Sequence, residues 1–259
     1  MERDAGNPVP LQQRLDTLLQ QQRELVDSLE RGQAYFQQVA RSVWRVQEDE
    51  RRRLARELHD GLGQNLTAIV RMLEHAAQTP GCSTSTREQL ERISALAHAT
   101  LAEARALSRQ LRPQILDDLG LAAALRWLAR SFRDAHGLDV SLEMPEPLPD
   151  LGGDAQTLIF RVAQEGLTNV VKHAGAARAE LVLRIADDRV RLRLSDNGKG
   201  CEATSALRSG SEGQGSGLGG MRDRVQLFGG QLQVRSSPQC GFSLEIAFPF
   251  PSNTGKLGA

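Results

Sequence analysis

At 259 residues the chain has room for two modest domains, each able to bury a core. Its 32 Lys and Arg balance its 32 Asp and Glu, so no global field attracts a nucleic acid or an anionic membrane, and partners must be sought in local sites. Cys82, Cys201 and Cys240 are far apart with no histidine run beside them, no apolar run approaches the roughly 20 residues that cross a bilayer, and the polar N-terminus lacks a signal-peptide core. The expectation is a soluble chain without a membrane segment, a disulfide framework or a zinc site, in a reducing cytoplasm.

From about Leu11 to Gln78 the only strong helix breakers are Gly32, Gly61 and Gly63, and Gln, Arg, Glu and Leu dominate, which predicts one or two long helices. Leu15, Leu18, Leu19, Leu25 and Leu29 recur at three- and four-residue steps among charges, the seam of a coiled coil. Dimerisation follows, the alternative being one amphipathic helix packed on its own domain. Leu54, Leu58, Leu62, Leu66, Ile69 and Leu73 carry the stripe on, Thr79-Pro80-Gly81 interrupts it, and Leu90, Ile93, Ala97, Leu101, Ala104, Leu107 and Leu111 form a second stripe. This is a helical hairpin that two copies would close into a four-helix bundle. Pro113 ends the second helix.

Beyond it the texture changes. Leu121 to His136 reads as a helix, Asp139 to Met144 as a strand, and residues 145–149 as a proline-rich connector. Asp154 to Ala174 is a helix; Glu180 to Ile185 and Arg189 to Ser195 alternate apolar and polar around an Asp187-Asp188 turn, as a half-buried hairpin does. Gly210 to Gly220 is too glycine-rich for either structure. Met221 to Phe228 is helical, and Gln231 to Ser236 with Phe242 to Phe248 close the set, giving one mixed sheet covered by helices.

Four segments can carry chemistry. In Glu57-Leu-His-Asp-Gly-Leu-Gly-Gln64, His59 lies one position past the stripe residue Leu58, at the margin of the bundle. A neutral imidazole there can accept a phosphoryl group, with Asp60 to hold its tautomer and Gln64 to orient a water. Alone, a His-Asp pair on a charged helix is usually solvated surface. Gly61 and Gly63 inside a helix suggest that another backbone comes close. In Gln164-Glu-Gly-Leu-Thr-Asn-Val-Val-Lys-His-Ala174, helical spacing places Glu165, Asn169, Lys172 and His173 on one face. The Asn169 oxygen suits magnesium, Glu165 can hold a coordinated water, and Lys172 or His173 can meet phosphate; a solvated polar face is the plain alternative. Asp196-Asn-Gly-Lys-Gly200 ends a strand, where a carboxylate can accept from an adenine amino group beside close-approaching glycines, or simply make a turn. Gly213-Gln-Gly-Ser-Gly-Leu-Gly-Gly-Met221 opens a helix whose free amides can face phosphates, though it is not the phosphate loop ending in Gly-Lys-Ser/Thr.

The order of these segments resembles the ATP-binding domain of histidine kinases, shared with DNA gyrase and the MutL mismatch-repair ATPase. Glu50 to Gln64, with an aspartate directly after the histidine, and Leu111-Arg-Pro-Gln-Ile-Leu-Asp-Asp-Leu-Gly-Leu121 are similar to the nitrate-sensor-like subfamily of sensor histidine kinases. The resemblance covers about Glu48 to Pro249. It implies an α+β multidomain chain: a coiled coil over 1–47, a dimerisation and histidine phosphotransfer hairpin over 48–112, a linker over 113–120, an α/β sandwich ATP-binding domain over 121–250, and a tail over 251–259. It also implies ATP with Mg2+, and a homodimer that passes phosphate to a response regulator, one with a helix-turn-helix output domain. His59 would be the phosphoacceptor, Asp60 its activating carboxylate, and Gln64 the residue for dephosphorylating the partner. Asn169 would be the magnesium ligand beside Glu165, and Asp196 the adenine-reading carboxylate with Gly198 and Gly200. Gly215, Gly217, Leu218 and Gly219 would form the nucleotide lid and its hinge. No phenylalanine-bearing motif separates the two glycine boxes, so the lid over 201–216 should be short, and residues 113–121 should serve as a hinge. Residues 1–47 match no recognisable input domain; the alternatives are a cytoplasmic protein and the cytoplasmic portion of a longer membrane sensor. The rival readings are a same-fold ATPase, a serine kinase acting on a regulatory protein, or a non-enzymatic dimeric scaffold. Arg51-Arg52-Arg53 is offset by Glu48, Asp49, Glu50 and Glu57, which argues against direct nucleic acid binding.

Overall fold

The computed structural model describes residues 11–80, 83–201 and 217–250. They fall into two compact units, 1–44 and 45–259. The first unit, as described, is the greater part of helix α1, Leu11–Arg56. Leu15, Leu18, Leu25, Leu29, Phe36, Val39 and Val43 all stand exposed on it. Their steps of three and four, with Gln22 and Gly32 completing the series, are those of a heptad seam without a partner in a single chain.

The second unit begins with the helical hairpin. The end of α1 runs through a π-helical segment, π1 (Glu57–Gly63), into α2 (Gln64–Gln78), and α3 (Thr84–Leu111) packs back against π1 and α2. Ser83 caps α3, its Oγ accepting from the Thr86 amide at 3.1 Å. The predicted stripes divide: Ala55, Val70, Ala97, Leu101 and Ala104 are buried between the helices, while Leu54, Leu62, Ile69, Ile93 and Leu107 remain exposed on the outer face. No described helix is long and apolar enough to cross a membrane.

The segment expected to be a linker and hinge has local structure of its own. Gln114–Asp118 forms a short helix, α4, with Leu116 buried and Asp117 gripped by Arg52 and Arg112. After it come α5 (Gly120–His136), β1 (Asp139–Glu143), α6 (Gly153–Asn169), a second π segment π2 (Val170–Ala174), β2 (Arg178–Ala186), β3 (Arg189–Asp196), α7 (Leu218–Leu227), β4 (Gln231–Ser236) and β5 (Phe242–Pro249). The described strands make one sheet of order β1-β2-β3-β5-β4, with β1 parallel to β2 and the remaining pairs antiparallel. Asp187 and Asp188 both take positive φ, 54° and 53°, the geometry of a two-residue hairpin turn matched to strand twist.

Alternation fixes the layers. Val190, Leu192 and Leu194 of β3 are buried while Arg189, Arg191 and Arg193 are exposed, so helices cover one face of the sheet only. Leu158, Ile159 and Leu167 of α6, with Met221 and Val225 of α7, meet Leu181, Leu183, Leu244, Ile246 and Phe248 in that core. Gly166 lets α6 press onto β3: a Cβ there would stand 2.5 Å from Leu194 Cδ2. The helix bearing Glu165 and Asn169 is thereby held against the strand that ends in Asp196.

Candidate functional site

His59 and Gln64 sit where the hairpin leaves α-helical geometry. In π1 the backbone bonds run i→i+5, a form that occurs chiefly as short interruptions at functional positions. The extra residue per turn brings Gln64, five residues on, beside His59. Both line an open groove of about 490 Å3 with Gly63, Thr67, Ala68, Arg71 and Arg105. His59 is exposed, as its place beside the stripe predicted. Asp60 is exposed too, but it does not line the groove. The close backbone approach expected at Gly61 and Gly63 does not occur within the chain: a Cβ on Gly61 would meet nothing within 4 Å, and one on Gly63 only Leu58 O at an ordinary 3.5 Å.

The second and third segments meet. Asp196, Asn197 and Gly198 turn back under the end of π2, where the Lys199 amide donates to Ala174 O at 2.9 Å. The Asn197 side chain ties the turn to β2, its Oδ1 accepting from the Arg178 amide at 2.9 Å. Gly198 is required by contact rather than by φ: a Cβ would stand 2.5 Å from Ala174 O and 2.6 Å from Ala174 Cβ. Because the obstacle is backbone, Gly198→Ala has no cheap relaxation; it should cost about 1–3 kcal/mol and weaken nucleotide binding, measured by thermal melting and ATP titration.

Asp196 has unequal oxygens. Oδ1 accepts from the Gly198 amide at 2.8 Å, whereas Oδ2 is buried with no hydrogen-bond partner. Burial pushes the carboxyl above its usual range; the amides of Gly198 and Phe242 act against it, and only that of Gly198 makes a hydrogen bond of ordinary geometry. A buried acceptor without a donor is costly, and it is what an incoming amino group would satisfy.

Glu165 and Asn169 lie half-buried in the last turns of α6. Lys172 and His173 do not continue their helical series, because the chain passes into π2, where both are exposed. Gly217 opens α7 with φ of 126°, so Leu218 and Gly219 supply first-turn amides. Gly215 and the lid over 202–216 lie outside the described residues. On α7, Arg224 donates Nε to Gly220 O at 2.8 Å. Burial draws its guanidinium below the ordinary value, and the carboxylate of Glu165 opposes this, which marks α7 as close to the end of α6. Among the described residues, none beyond Arg105 lines the His59 groove.

One buried ion cluster has no signature in the residue pattern. Glu48 Oε2 accepts from Arg161 Nε at 2.9 Å and Nη2 at 2.7 Å, and lies 3.6 Å from Arg112 Nη1; its Oε1 accepts from Arg51 at 3.2 Å. Arg112 also pairs with Asp117 at 2.8 Å and reaches Thr157 Oγ1 at 3.2 Å. Asp117 completes the set by taking Arg52 at 2.6 Å. Burial alone would raise the Asp117 carboxyl, but Arg112 and Arg52 outweigh it and hold the group below its usual value. The one available signal was Arg161 itself, a charge within the otherwise apolar run Leu158 to Val162.

Known proteins agree with this arrangement. Residues 50–116 match the family model described as histidine kinase, and residues 153–252 that of the histidine kinase-, DNA gyrase B- and HSP90-like ATPases. The sensor histidine kinase MctS of Rhizobium johnstonii is 36% identical over 80% of this chain and 45% of its own length. The histidine-protein kinase/phosphatase UhpB of Salmonella typhimurium is 36% identical over 83% of this chain and 42% of its own. The oxygen sensor kinase NreB of Staphylococcus carnosus is 29% identical over 83% and 60%. The chain therefore spans about half the length of these relatives. With a histidine-kinase hairpin followed by a gyrase- and HSP90-type ATPase domain, it belongs to the sensor histidine kinases.

Proposed function

We propose that this chain transfers the γ-phosphoryl group of ATP to His59 and then to an aspartate of a response regulator. The observation that carries the reading is an imidazole exposed on a π turn beside an open groove, in a chain whose ATPase-type domain keeps one buried carboxylate oxygen free. Adenine fits that oxygen: Asp196 Oδ2 needs a donor, and the exocyclic amino group supplies one. Phosphates then fall toward the first-turn amides of α7 and the end of α6. Asn169 and Glu165 present the hard oxygen donors that magnesium takes, and Asn169 has no hydrogen bond to another described side chain that would compete. Bound there with ATP, magnesium would neutralise phosphate charge during transfer.

A ring nitrogen of His59 attacks in line, and the exposed carboxylate of Asp60 takes up the positive charge that develops on the ring. Because no described residue of the ATP-binding domain lines the His59 groove, that domain must move to the hairpin for each transfer. Gln64, in the same groove, would orient a water against the regulator's phosphoaspartate and so provide the phosphatase activity. The unpartnered heptad seam and the exposed outer face of the hairpin account for a homodimer. The regulator we expect carries a helix-turn-helix output domain, and the reaction runs in the cytoplasm.

The test is incubation of the protein and its His59→Gln variant with γ-labelled ATP and magnesium. Acid-labile, alkali-stable label on the wild type and none on the variant is expected. Label that persists in His59→Gln would move the acceptor elsewhere and overturn the reading.

A further inference from the structure

The groove beside His59 holds charge that the scheme above leaves idle. Its lining includes two arginines, Arg71 and Arg105, and no carboxylate. Arg51, Arg52 and Arg53, on the neighbouring turns of α1, are each taken by a carboxylate. Arg71 and Arg105, by contrast, have neither a hydrogen bond nor an ion pair among the described residues.

The two differ in level along the hairpin. Ser108 on α3 donates Oγ to Ala55 O at 2.9 Å, a buried contact that registers the two antiparallel helices. His59 follows Ala55 by four residues and Arg105 precedes Ser108 by three. At about 1.5 Å per residue, and a little less within π1, they lie about 6 Å or slightly under and about 4.5 Å from that contact, in the same direction and so at nearly one level. Each offset is close to one turn, which keeps both residues on the faces that contact presents. Arg71 is twelve residues past His59, about 18 Å further on and beyond reach of a group on the ring.

We propose that Arg105 is a catalytic residue for the phosphoryl transfers at His59, its guanidinium binding two oxygens of the phosphoryl group as it arrives on the imidazole and as it leaves. This rests on His59 being the acceptor. In the forward step a ring nitrogen forms a bond to the γ-phosphorus while the bond to the β,γ-bridging oxygen breaks. The electron pair of that bond leaves with ADP, and the other ring nitrogen passes its proton to the carboxylate of Asp60. The product is a phosphoryl dianion fixed on the groove wall, and charge in the transition state is spread over its equatorial oxygens. A guanidinium is permanently charged and offers parallel N–H donors in a fork that matches two such oxygens. Arg105 brings that fork to the level of His59 from the opposite helix, in a groove that no described residue of the ATP-binding domain lines.

The experiment compares the full chain with R105Q, R105K and R71Q, using γ-labelled ATP and, separately, phosphoramidate, a small donor that needs no ATP-binding domain. R105Q should label His59 on the order of 100-fold more slowly with either donor. Its affinity for a fluorescent ATP analogue and its melting temperature should not change, since Arg105 is exposed and lies outside the ATP-binding domain. R105K, which keeps the charge and loses the fork, should recover only part of the rate, and R71Q should stay within about twofold of wild type. Wild-type labelling of R105Q overturns the proposal. So does a defect seen with ATP but not with phosphoramidate, which would assign Arg105 to docking of the ATP-binding domain, or a fall in melting temperature, which would make it structural. A wild type that takes no label would instead remove His59 as the acceptor, a distinct failure that carries this inference with it.

Discussion

Asp196→Asn should abolish ATP binding and yet melt no lower than the wild type at neutral pH. The two effects have one origin. Asp196 Oδ2 is buried without a partner, and burial raises the carboxyl above its usual range. A carboxylate whose folded pKa is raised contributes most to stability below its unfolded value and loses that contribution as pH rises through the folded value. At neutral pH the ionised group is therefore a net cost to the fold, retained for the ligand. Asparagine removes the charge and can still accept from the Gly198 amide through Oδ1. Its amide nitrogen then faces the adenine amino group, donor against donor, which should cost on the order of 100-fold or more in affinity. Titration with a fluorescent ATP analogue and melts from pH 7 down to pH 4 check both halves. The stability advantage of the variant should shrink as pH falls through the carboxylate range, where the wild-type group becomes neutral too. A variant that binds ATP within a few-fold of wild type would remove Asp196 from the nucleotide site.

Much of the architecture was legible because it rests on periodicity. Val190, Leu192 and Leu194 alternate with arginines, and the structure buries the one set and exposes the other. The position of His59 one residue past Leu58 was enough to predict its exposure. The π segments were not legible, since α and π backbones draw on the same residue types and differ only in which carbonyl each amide finds. That difference has consequences at both sites: it brings Gln64 rather than Gly63 round to the level of His59, and it carries Lys172 and His173 out of series with Glu165 and Asn169. The structure within the expected hinge was illegible for another reason. Proline and glycine near residues 113–120 do mark the ends of helices, but composition does not reveal that Asp117 is held by arginines from two other elements. Arg105 is not legible in the sequence because a single arginine on an exposed helix face carries no pattern; its significance comes from the register of α3 against His59.

The longest-range of these invisible contacts carries the largest expected effect on stability. Glu48 and Arg161 are 113 residues apart, and both are nearly inaccessible, with side-chain exposures of 7% and 5%. Replacing Glu48 by alanine leaves Arg161 and Arg112 buried side by side without their shared anion. Burial already pulls the Arg161 guanidinium below its ordinary value, with Glu48 opposing that shift, so the loss falls on a group with little access to water. Breaking a buried pair from one side costs about 3–5 kcal/mol, far more than an exposed pair contributes. For a unit of this size that is on the order of a 10 °C fall in melting temperature. Glu48→Gln should lose less, because its amide oxygen still accepts from Arg161. The decisive comparison is the double variant Glu48→Leu with Arg161→Met. Removing both charges together removes the uncompensated cation, so the pair should recover most of what Glu48→Ala loses, and the coupling between the two sites should exceed about 1 kcal/mol. If Glu48→Ala melts within a degree of wild type, or if the double variant is no better than the sum of the singles, the ion cluster does not hold α6 to the end of α1.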